Sequence, residues 1–355
     1  MSEPRMRLLN LYKEELADWL KGQGQPAYRA SQLFAWLHKG ADFDGMTNLP
    51  KALIASLKEK ATANPVHIAE KHASSLDGTR KYLFGLQDGH CIEGVLMRYQ
   101  YGNTLCISTQ VGCRMGCTFC ASTLEGCVRN LMADEMLGQM LCAQSESDVG
   151  TLRNVVLMGS GEPLDNYDQT VRFLRLAMHP EGLNMSVRHI SLSTCGLVDQ
   201  MLRFAQEGLP VTLSVSLHAP NDDLRKQLMP IARRYRIQDV LEACREYIRQ
   251  TGRRVIFEYA LIGGVNTGVG HARELAALLR GMQCHVNLIP LNDVPEHDLR
   301  GASRQEIQEF QQELTKLNIS VSLRREMGDD IAGACGQLRR SRLKPGALPA
   351  SEGTP

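Results

Sequence analysis

The stretch TLCISTQVGCRMGCTFCAST, residues 104–123, decides how the rest of the chain is read. Its first half, Thr104–Gln110, has the composition of a strand. Its second half sets Cys113, Cys117 and Cys120 in a Cys-x3-Cys-x2-Cys pattern. Thiolates are the ligands of iron–sulfur clusters, and a 4Fe–4S cube usually takes four. Three closely spaced cysteines leave one iron open, and an open position marks a catalytic rather than a structural metal site. Gly112 and Gly116 allow the loop to wrap closely around a cube, and Phe119 would shield it from water. A zinc site using Cys113, Cys117, Cys120 and Cys127 is the competing reading, but zinc favours paired Cys-x2-Cys units and there is no second pair.

Downstream, strand-like and helix-like segments alternate. The strands read as NVVLMG (154–159), RHISLST (188–194), VTLSVSLHA (211–219), RRVIFEYALI (253–262), CHVNLIPL (284–291) and ISVSLRRE (319–326). Amphipathic stretches such as ADEMLGQMLCAQ and IQDVLEACREYIRQ separate them. This order means a parallel sheet. About six βα units follow from Thr104 onward, short of the eight of a full TIM barrel. The expected fold is therefore α/β, an open, partial (β/α)6 TIM-like barrel. The cysteine loop follows the first barrel strand, at the mouth where barrel active sites sit. Upstream, residues 1–78 read as a small helical domain, with Pro26 and Pro50 at helix starts. Residues 79–103 read as a β-hairpin with an Asp88-Gly89 turn leading into the barrel, which spans 104–338. The basic tail, 339–355, is rich in Pro, Ala and Gly from Ser341 and is expected to be disordered.

In VTLSVSLHA, Thr212, Ser214, Ser216 and His218 fall on one face and Val211, Leu213, Val215 and Leu217 on the other. Parallel strands buried on both faces normally run unbroken apolar, so this one points to a polar lumen. HISLST repeats the pattern with Ser191 and Ser193. NVVLMGSGEP ends a strand in Gly159 and Gly161 followed by Glu162, a turn that lets the backbone come close to a ligand with an acid ready for an ammonium group. Together with the triad, this points to S-adenosylmethionine (SAM) on the open iron, reductive cleavage to a 5′-deoxyadenosyl radical, and hydrogen abstraction. Gly161, Glu162, Ser193, Ser216, His218 and Asn292 are the candidate hydrogen-bonding residues.

The 355 residues are 43% hydrophobic and 22% charged, as in an ordinary globular protein. No apolar run reaches the roughly 18 residues of a membrane span, and the N-terminus lacks the pattern of a secretion signal. A cytoplasmic protein with no membrane partner is expected. Net charge of +1 neither supports nor excludes nucleic acid. Arg233-Arg234-Tyr235-Arg236, Arg324-Arg325 and Arg339-Arg340-Ser341-Arg342 could meet phosphates, although such clusters are usually solvated surface. Eleven cysteines, not spaced as a disulfide framework, call for metal or redox chemistry. Two lie outside the triad in telling places. Cys106 is on the strand before it, and Cys335 is in the glycine-flanked MGDDIAGACGQL.

From about residue 8 to 340 the chain resembles the RlmN/Cfr family of radical SAM adenosine methyltransferases. The resemblance rests on GNTLCISTQVGCRMGCTFCAST, MGSGEPLDN, ISLSTCG, SVSLHAPNDDLRKQLMPI, HVNLIPLN and GDDIAGACGQL, with PAYRASQLFAWLHKG and MTNLPKAL matching the family's small N-terminal domain. It implies that Cys335 takes a methyl from one SAM and that a second SAM activates it. The resulting methylene joins enzyme to adenine, and Cys106 attacks Cys335 sulfur to free the product, leaving a transient disulfide. It implies Glu93 as proton acceptor and adds Leu217 to the SAM contacts. The implied substrates are 23S ribosomal RNA at the peptidyl transferase centre and the tRNA anticodon loop. The implied electron donor is a protein such as flavodoxin, and the implied state is a monomer. Departures stand at Ala332-Gly333, Ala232 and Cys195, where the family commonly has Asp-Ala, asparagine and serine. Carbon 2 is favoured by Pro163 and Pro290-Leu291-Asn292. Carbon-8 methylation of the Cfr type, which confers antibiotic resistance, and radical SAM chemistry on a non-RNA substrate stay open.

Overall fold

The computed structural model describes residues 5–146, 148–292, 298–325, 327–333 and 341–342. Three helices, α1 (Lys13–Gly22), α2 (Arg29–His38) and α3 (Lys51–Lys60), open the chain. They bury Leu16 and Leu20, Leu33 and Leu37, and Leu53 and Leu57, pairs four apart on one helical face. The helical unit ends earlier than expected, because Val66–Ala73 is a strand, β1. Its sequence, VHIAEKHA, buries only Val66 and exposes its second half, so no period of two is visible. Pairing with β2 (Arg80–Leu86) makes it a strand.

The expected hairpin is β2 with β3 (His90–Tyr99), and β3 pairs in turn with β4 (Gly102–Cys106). These strands form the antiparallel wing of the central sheet rather than a separate linker. From β4 the sheet runs parallel, through β5 (Leu152–Leu157), β6 (Ile190–Thr194), β7 (Thr212–Ser216), β8 (Val255–Leu261), β9 (Cys284–Pro290) and β10 (Val321–Leu323). Between them lie α4 (Ala133–Gln144), α5 (Tyr167–Ala177), α6 (Val198–Ala205), α7 (Asp222–Leu228), α8 (Ile237–Thr251), α9 (Val269–Leu279) and α10 (Arg304–Lys316). Strands β10 and β1 are the two edges of the sheet and do not pair with each other among the described residues, so the barrel is open and partial as expected. Within the tail, Ser341–Arg342 pairs with His90 and Cys91 of β3, so this much of it is a strand. No helix among the described residues is long and apolar enough to cross a membrane.

The helical unit is fastened to the barrel through ion pairs. Arg7 meets the buried Asp134 of α4 at 2.6 Å, and Arg172 of α5 meets Glu15 at 2.6 Å. His38 of α2 sits in the same interface, 3% exposed, stacked on Phe34 with ring centroids 4.1 Å apart. Neither of its ring nitrogens has a hydrogen-bond partner among the described residues. Burial, with His179 nearby, pushes its pKa down to about 4. The unfolded chain takes up this proton near pH 6.5, so the contribution of a neutral His38 is whole above that pH and is lost progressively toward pH 4, amounting to about 3 kcal/mol. Unfolding free energies of wild type and His38→Phe across this window check it. The wild type should lose more stability on acidification, and equal slopes would sink the assignment.

Candidate active site

Strand β4 ends at Cys106, four residues before a short ribbon in which Gln110–Gly112 pairs with Cys127–Asn130. The loop carrying the triad leaves and returns through this ribbon. It is closed at its base by Cys113 N–H donating to Gly126 O at 3.1 Å. Gly112 has φ +80°, and a side chain there would collide with the Gly126 carbonyl oxygen. Inside the loop, Thr123 Oγ1 donates to the carbonyls of Cys117 and Cys120 at 3.2 and 2.9 Å, while Thr118 N–H reaches Leu228 O at 3.0 Å.

The turn after β5 is laced onto the residues that follow β4. Gly159 N–H donates to Ile107 O at 3.0 Å, Ser160 N–H to Ser108 Oγ at 2.9 Å, and Glu162 N–H to Gln110 Oε1 at 2.9 Å. A Cβ on Gly159 or Gly161 would fall 2.7 Å from Ile107 O or from the Gln110 backbone. The Glu162 carboxylate accepts from the backbone N–H groups of Leu164 at 3.0 Å and Cys195 at 2.7 Å. It is 4% exposed, and burial raises its pKa above the ordinary carboxylate value.

These pieces share a cleft of about 960 Å³. Cys113, Cys117, Cys120, Gly161, Glu162, Ser193, Ser216, His218 and Asn292 all line it, so the structure brings together nine of the ten residues expected for cluster and SAM. Leu217 differs. Its side chain is fully buried in the core, leaving its backbone beside the cleft, where its N–H is bound to Glu258 O at 3.0 Å. His218 adopts φ +57°, which is strained for a non-glycine residue. Asn266, fully buried, holds it there: its amide donates to His218 O at 2.9 Å and Ala260 O at 2.6 Å, and its carbonyl accepts from Ile262 N–H at 2.8 Å. His218 Nδ1 accepts from Ala260 N–H at 2.9 Å. Burial pushes the ring's pKa down to about 3, so it is neutral and carries its hydrogen on Nε2.

Sequence reading missed Asn266, Glu258 and Arg225. Glu258 lines the cleft, 4% exposed, with Asn287 donating to it at 2.8 Å. An acid inside the apolar run VIFEYAL was the available signal. Arg225 is fully buried and donates to the carbonyls of Cys195 at 2.7 Å, Ser216 at 3.3 Å and Leu217 at 3.3 Å. Its Nη1 has no hydrogen-bond partner among the described residues.

Glu93 and Cys106 lie on another part of the same sheet. Cys106 pairs with Val95 of β3 on one side and with Val156 of β5 on the other. Glu93, two residues from Val95, therefore shares its face. Cys106 is buried in a cluster with Val95, Met97 and Met327, and Met158, which also lines the cleft, packs against that cluster. Cys335 lies outside the described residues.

Residues 107–276 match the Radical SAM superfamily, and residues 6–63 match the ribosomal RNA large subunit methyltransferase N-terminal domain. A protein of Alkaliphilus oremlandii, named probable dual-specificity RNA methyltransferase RlmN, is 52% identical, over 96% of this chain and 99% of its own. One of the same name from Clostridium novyi is 47% identical, over 95% and 98%. The crystal structure of a radical SAM methyltransferase from Sphaerobacter thermophilus superposes with a TM-score of 0.91 at 46% identity, covering 94% of this chain and 99% of that one. This chain belongs to the RlmN family. Membership in the radical SAM superfamily implies a 4Fe–4S cluster and SAM, and the RlmN site fits both. Among the described residues no three His, Cys, Asp or Glu converge as a single-ion site. A cube binds each thiolate through a different iron, so its ligands need only face one space, as these three do. The buried charge of Arg225, felt at Cys117 and Cys195, suits an anionic thiolate cluster.

Asn266→Ala should free His218 from its strained backbone. Leaving buried carbonyls unpaired should cost about 1–3 kcal/mol of stability, and SAM affinity should fall by about tenfold if 1.4 kcal/mol of positioning is lost. Unfolding and equilibrium dialysis of the cluster-loaded enzyme measure the two, and unchanged SAM affinity would refute the role given to Asn266.

Proposed function

We propose that this radical SAM RNA methyltransferase methylates carbon 2 of adenosine in 23S ribosomal RNA, at the peptidyl transferase centre, and in the anticodon loop of tRNA. The observation that carries the reading is a second, buried thiol, Cys106. It is separate from the triad, shares a sheet face with the buried Glu93, and belongs to a buried cluster that packs against Met158, a wall residue of the cleft. Relatives about 50% identical over nearly their whole length, named dual-specificity RNA methyltransferases, support the same reading.

Cys113, Cys117 and Cys120 would hold the cluster, with Gly161, Glu162, Ser193, Ser216, His218, Asn292 and the Leu217 backbone around SAM. Bound together, cluster and SAM supply a carbon radical able to take hydrogen from an unactivated methyl group. The chain's own residues account for the rest. Carbon 2 of adenine lies between two ring nitrogens and is too electron-poor to attack a methyl donor directly. Cys335 thiolate therefore accepts the methyl first and delivers it as a one-carbon bridge to the ring. Glu93 accepts the proton lost from carbon 2. Cys106 thiolate then attacks Cys335 sulfur: the Cys106–Cys335 disulfide forms, the carbon–sulfur bond breaks with its electron pair left on the bridge carbon, and that carbon takes a proton to become the product methyl. The odd electron left by radical addition to the ring would pass to the cluster, and a thiol reductant reopens the disulfide. A transient disulfide of this kind is the form expected in a reducing compartment. Glu162, anchored by two backbone amides, would keep its remaining lone pairs for the SAM ammonium, and neutral His218 would donate from Nε2. Arg114, Arg233 and Arg234 lie together beside Met115 of the cluster loop, placed for an RNA backbone entering the cleft. The reading includes a flavodoxin-like electron donor and a monomeric enzyme.

Anaerobic mass spectrometry of wild type and Cys106→Ala, after incubation with SAM and RNA, tests this. Wild type should carry a methyl on Cys335, and the variant should accumulate an RNA adduct there. Fragment masses of the methylated adenosine separate carbon 2 from carbon 8. A cluster-loaded enzyme with Cys335 never modified and no adduct would overturn the proposal.

A further inference from the structure

The face that carries Cys106 and Glu93 continues one strand further out. Lys81 of β2 pairs with Val95, which pairs with Cys106, so the three side chains form a row across the sheet. Lys81 Nζ lies 3.0 Å from Glu93 Oε1, with side-chain exposures of 13% and 8%. The same ammonium group donates to Ala332 O at 3.3 Å. Ala332 belongs to the segment 327–333, which ends two residues before Cys335.

That segment is held mainly by the β1–β2 turn. Gly328 N–H donates to Asp77 Oδ2 at 2.9 Å, and Ser75 gives Asp330 Oδ2 both its backbone N–H, at 3.0 Å, and its hydroxyl, at 3.1 Å. Gly328 has φ +68°, and a Cβ there would come within 2.8 Å of Thr79 Cγ2. Met327 is buried against Val95, Met97 and Cys106. The turn is itself fixed, with Thr79 N–H donating to Asp77 Oδ1 at 2.8 Å and Ser74 N–H to Thr79 O at 2.8 Å. Three of these ties hold only the segment. Lys81 bonds both the segment and the acid.

We propose that Lys81 is a positioning residue that holds the Glu93 carboxylate, as its anion, in register with the loop leading to Cys335. The inference rests on the reaction proposed above. A largely buried carboxylate needs a paired cation to stay ionised and ready to accept a proton. The cation paired with it is bonded to the segment that leads to Cys335, so one group ties the base to that segment. When Glu93 takes the proton from carbon 2, the ion pair becomes a contact between a neutral acid and Lys81, and the ammonium keeps its bond to Ala332.

The two half-reactions separate this role from a merely structural one. Methyl transfer from SAM to Cys335 does not use Glu93, whereas RNA turnover does. Lys81→Met in the full-length, cluster-loaded enzyme loses one tie on the segment, so it should slow methyl-Cys335 formation no more than Asp77→Ala does, read by peptide mass spectrometry. It should slow RNA turnover by a further factor of about ten, within the range of a general-base contribution. Lys81→Arg, which keeps the charge, should restore most of the rate of turnover. Asp77→Ala loosens the segment and leaves both members of the Lys81–Glu93 pair in place, so it should slow the two half-reactions alike. The proposal falls if Lys81→Met depresses the two half-reactions equally, as Asp77→Ala does, or if Lys81→Arg fails to restore turnover. Failure of the underlying reaction shows differently, as wild-type enzyme that never methylates Cys335.

Discussion

The lacing of the Gly159–Glu162 turn onto residues 107–110 is the constraint on which the site depends. It continues the β4–β5 pairing past the ends of both strands, through Gly159 N–H to Ile107 O and Glu162 N–H to Gln110 Oε1. On one side, this fixes the base of the cysteine loop. On the other, it aims Glu162 into the cleft. Glycine is required at 159 and 161 because no side chain fits between the two segments. Cluster loop and SAM turn are therefore one rigid piece, and a shift in either moves both, which is the kind of preorganisation a reacting site needs.

Around that piece the barrel mouth is arranged electrostatically. Glu162 and Glu258 are buried acids on the cleft wall, His218 is neutral, and Arg225 lies beneath, hydrogen-bonded to carbonyl oxygens. Such an arrangement is costly in an empty protein and becomes favourable when anionic thiolates and a ligand bearing both ammonium and carboxylate groups are present. The strain at His218 belongs to the same design. Asn266 bonds the carbonyls of His218 and Ala260 and the N–H of Ile262, so the cost of the left-handed backbone is met by a local network.

Much of this was legible in the sequence. The triad's spacing, the alternation of strand and helix, and the hydroxyl-bearing face of Thr212–Ser216 gave the open barrel and most of the cleft, because period and spacing are local properties of the chain. What escaped was set by contacts far apart in sequence. VHIAEKHA is a strand because β2 pairs with it, not because its own pattern demands it. Asn266 lies 48 residues from the carbonyl it holds, and Lys81 is 251 residues from Ala332. Leu217 was placed among the SAM contacts through resemblance alone, and its side chain turns to the core as its place in the alternation requires. The roles of Cys335 and Glu93 also came through resemblance, since a lone cysteine and a lone acid carry no spacing to read.

The ties on the C-terminal segment explain why a second reactive cysteine would come from so far along the chain. In the proposed reaction, a thiol that is methylated, presented to RNA and then attacked by Cys106 would be poorly served by the core, where close packing allows one arrangement. A segment held by a few polar bonds and one buried methionine, Met327, can shift at modest cost, because each such bond contributes only about 1 kcal/mol net. The antiparallel wing supplies those bonds from Ser75, Asp77 and Lys81. Cys106 lies at the junction of wing and barrel, on the strand that pairs with His90–Tyr99 on one side and Leu152–Leu157 on the other. That position, more than its intrinsic reactivity, suits it to end the reaction.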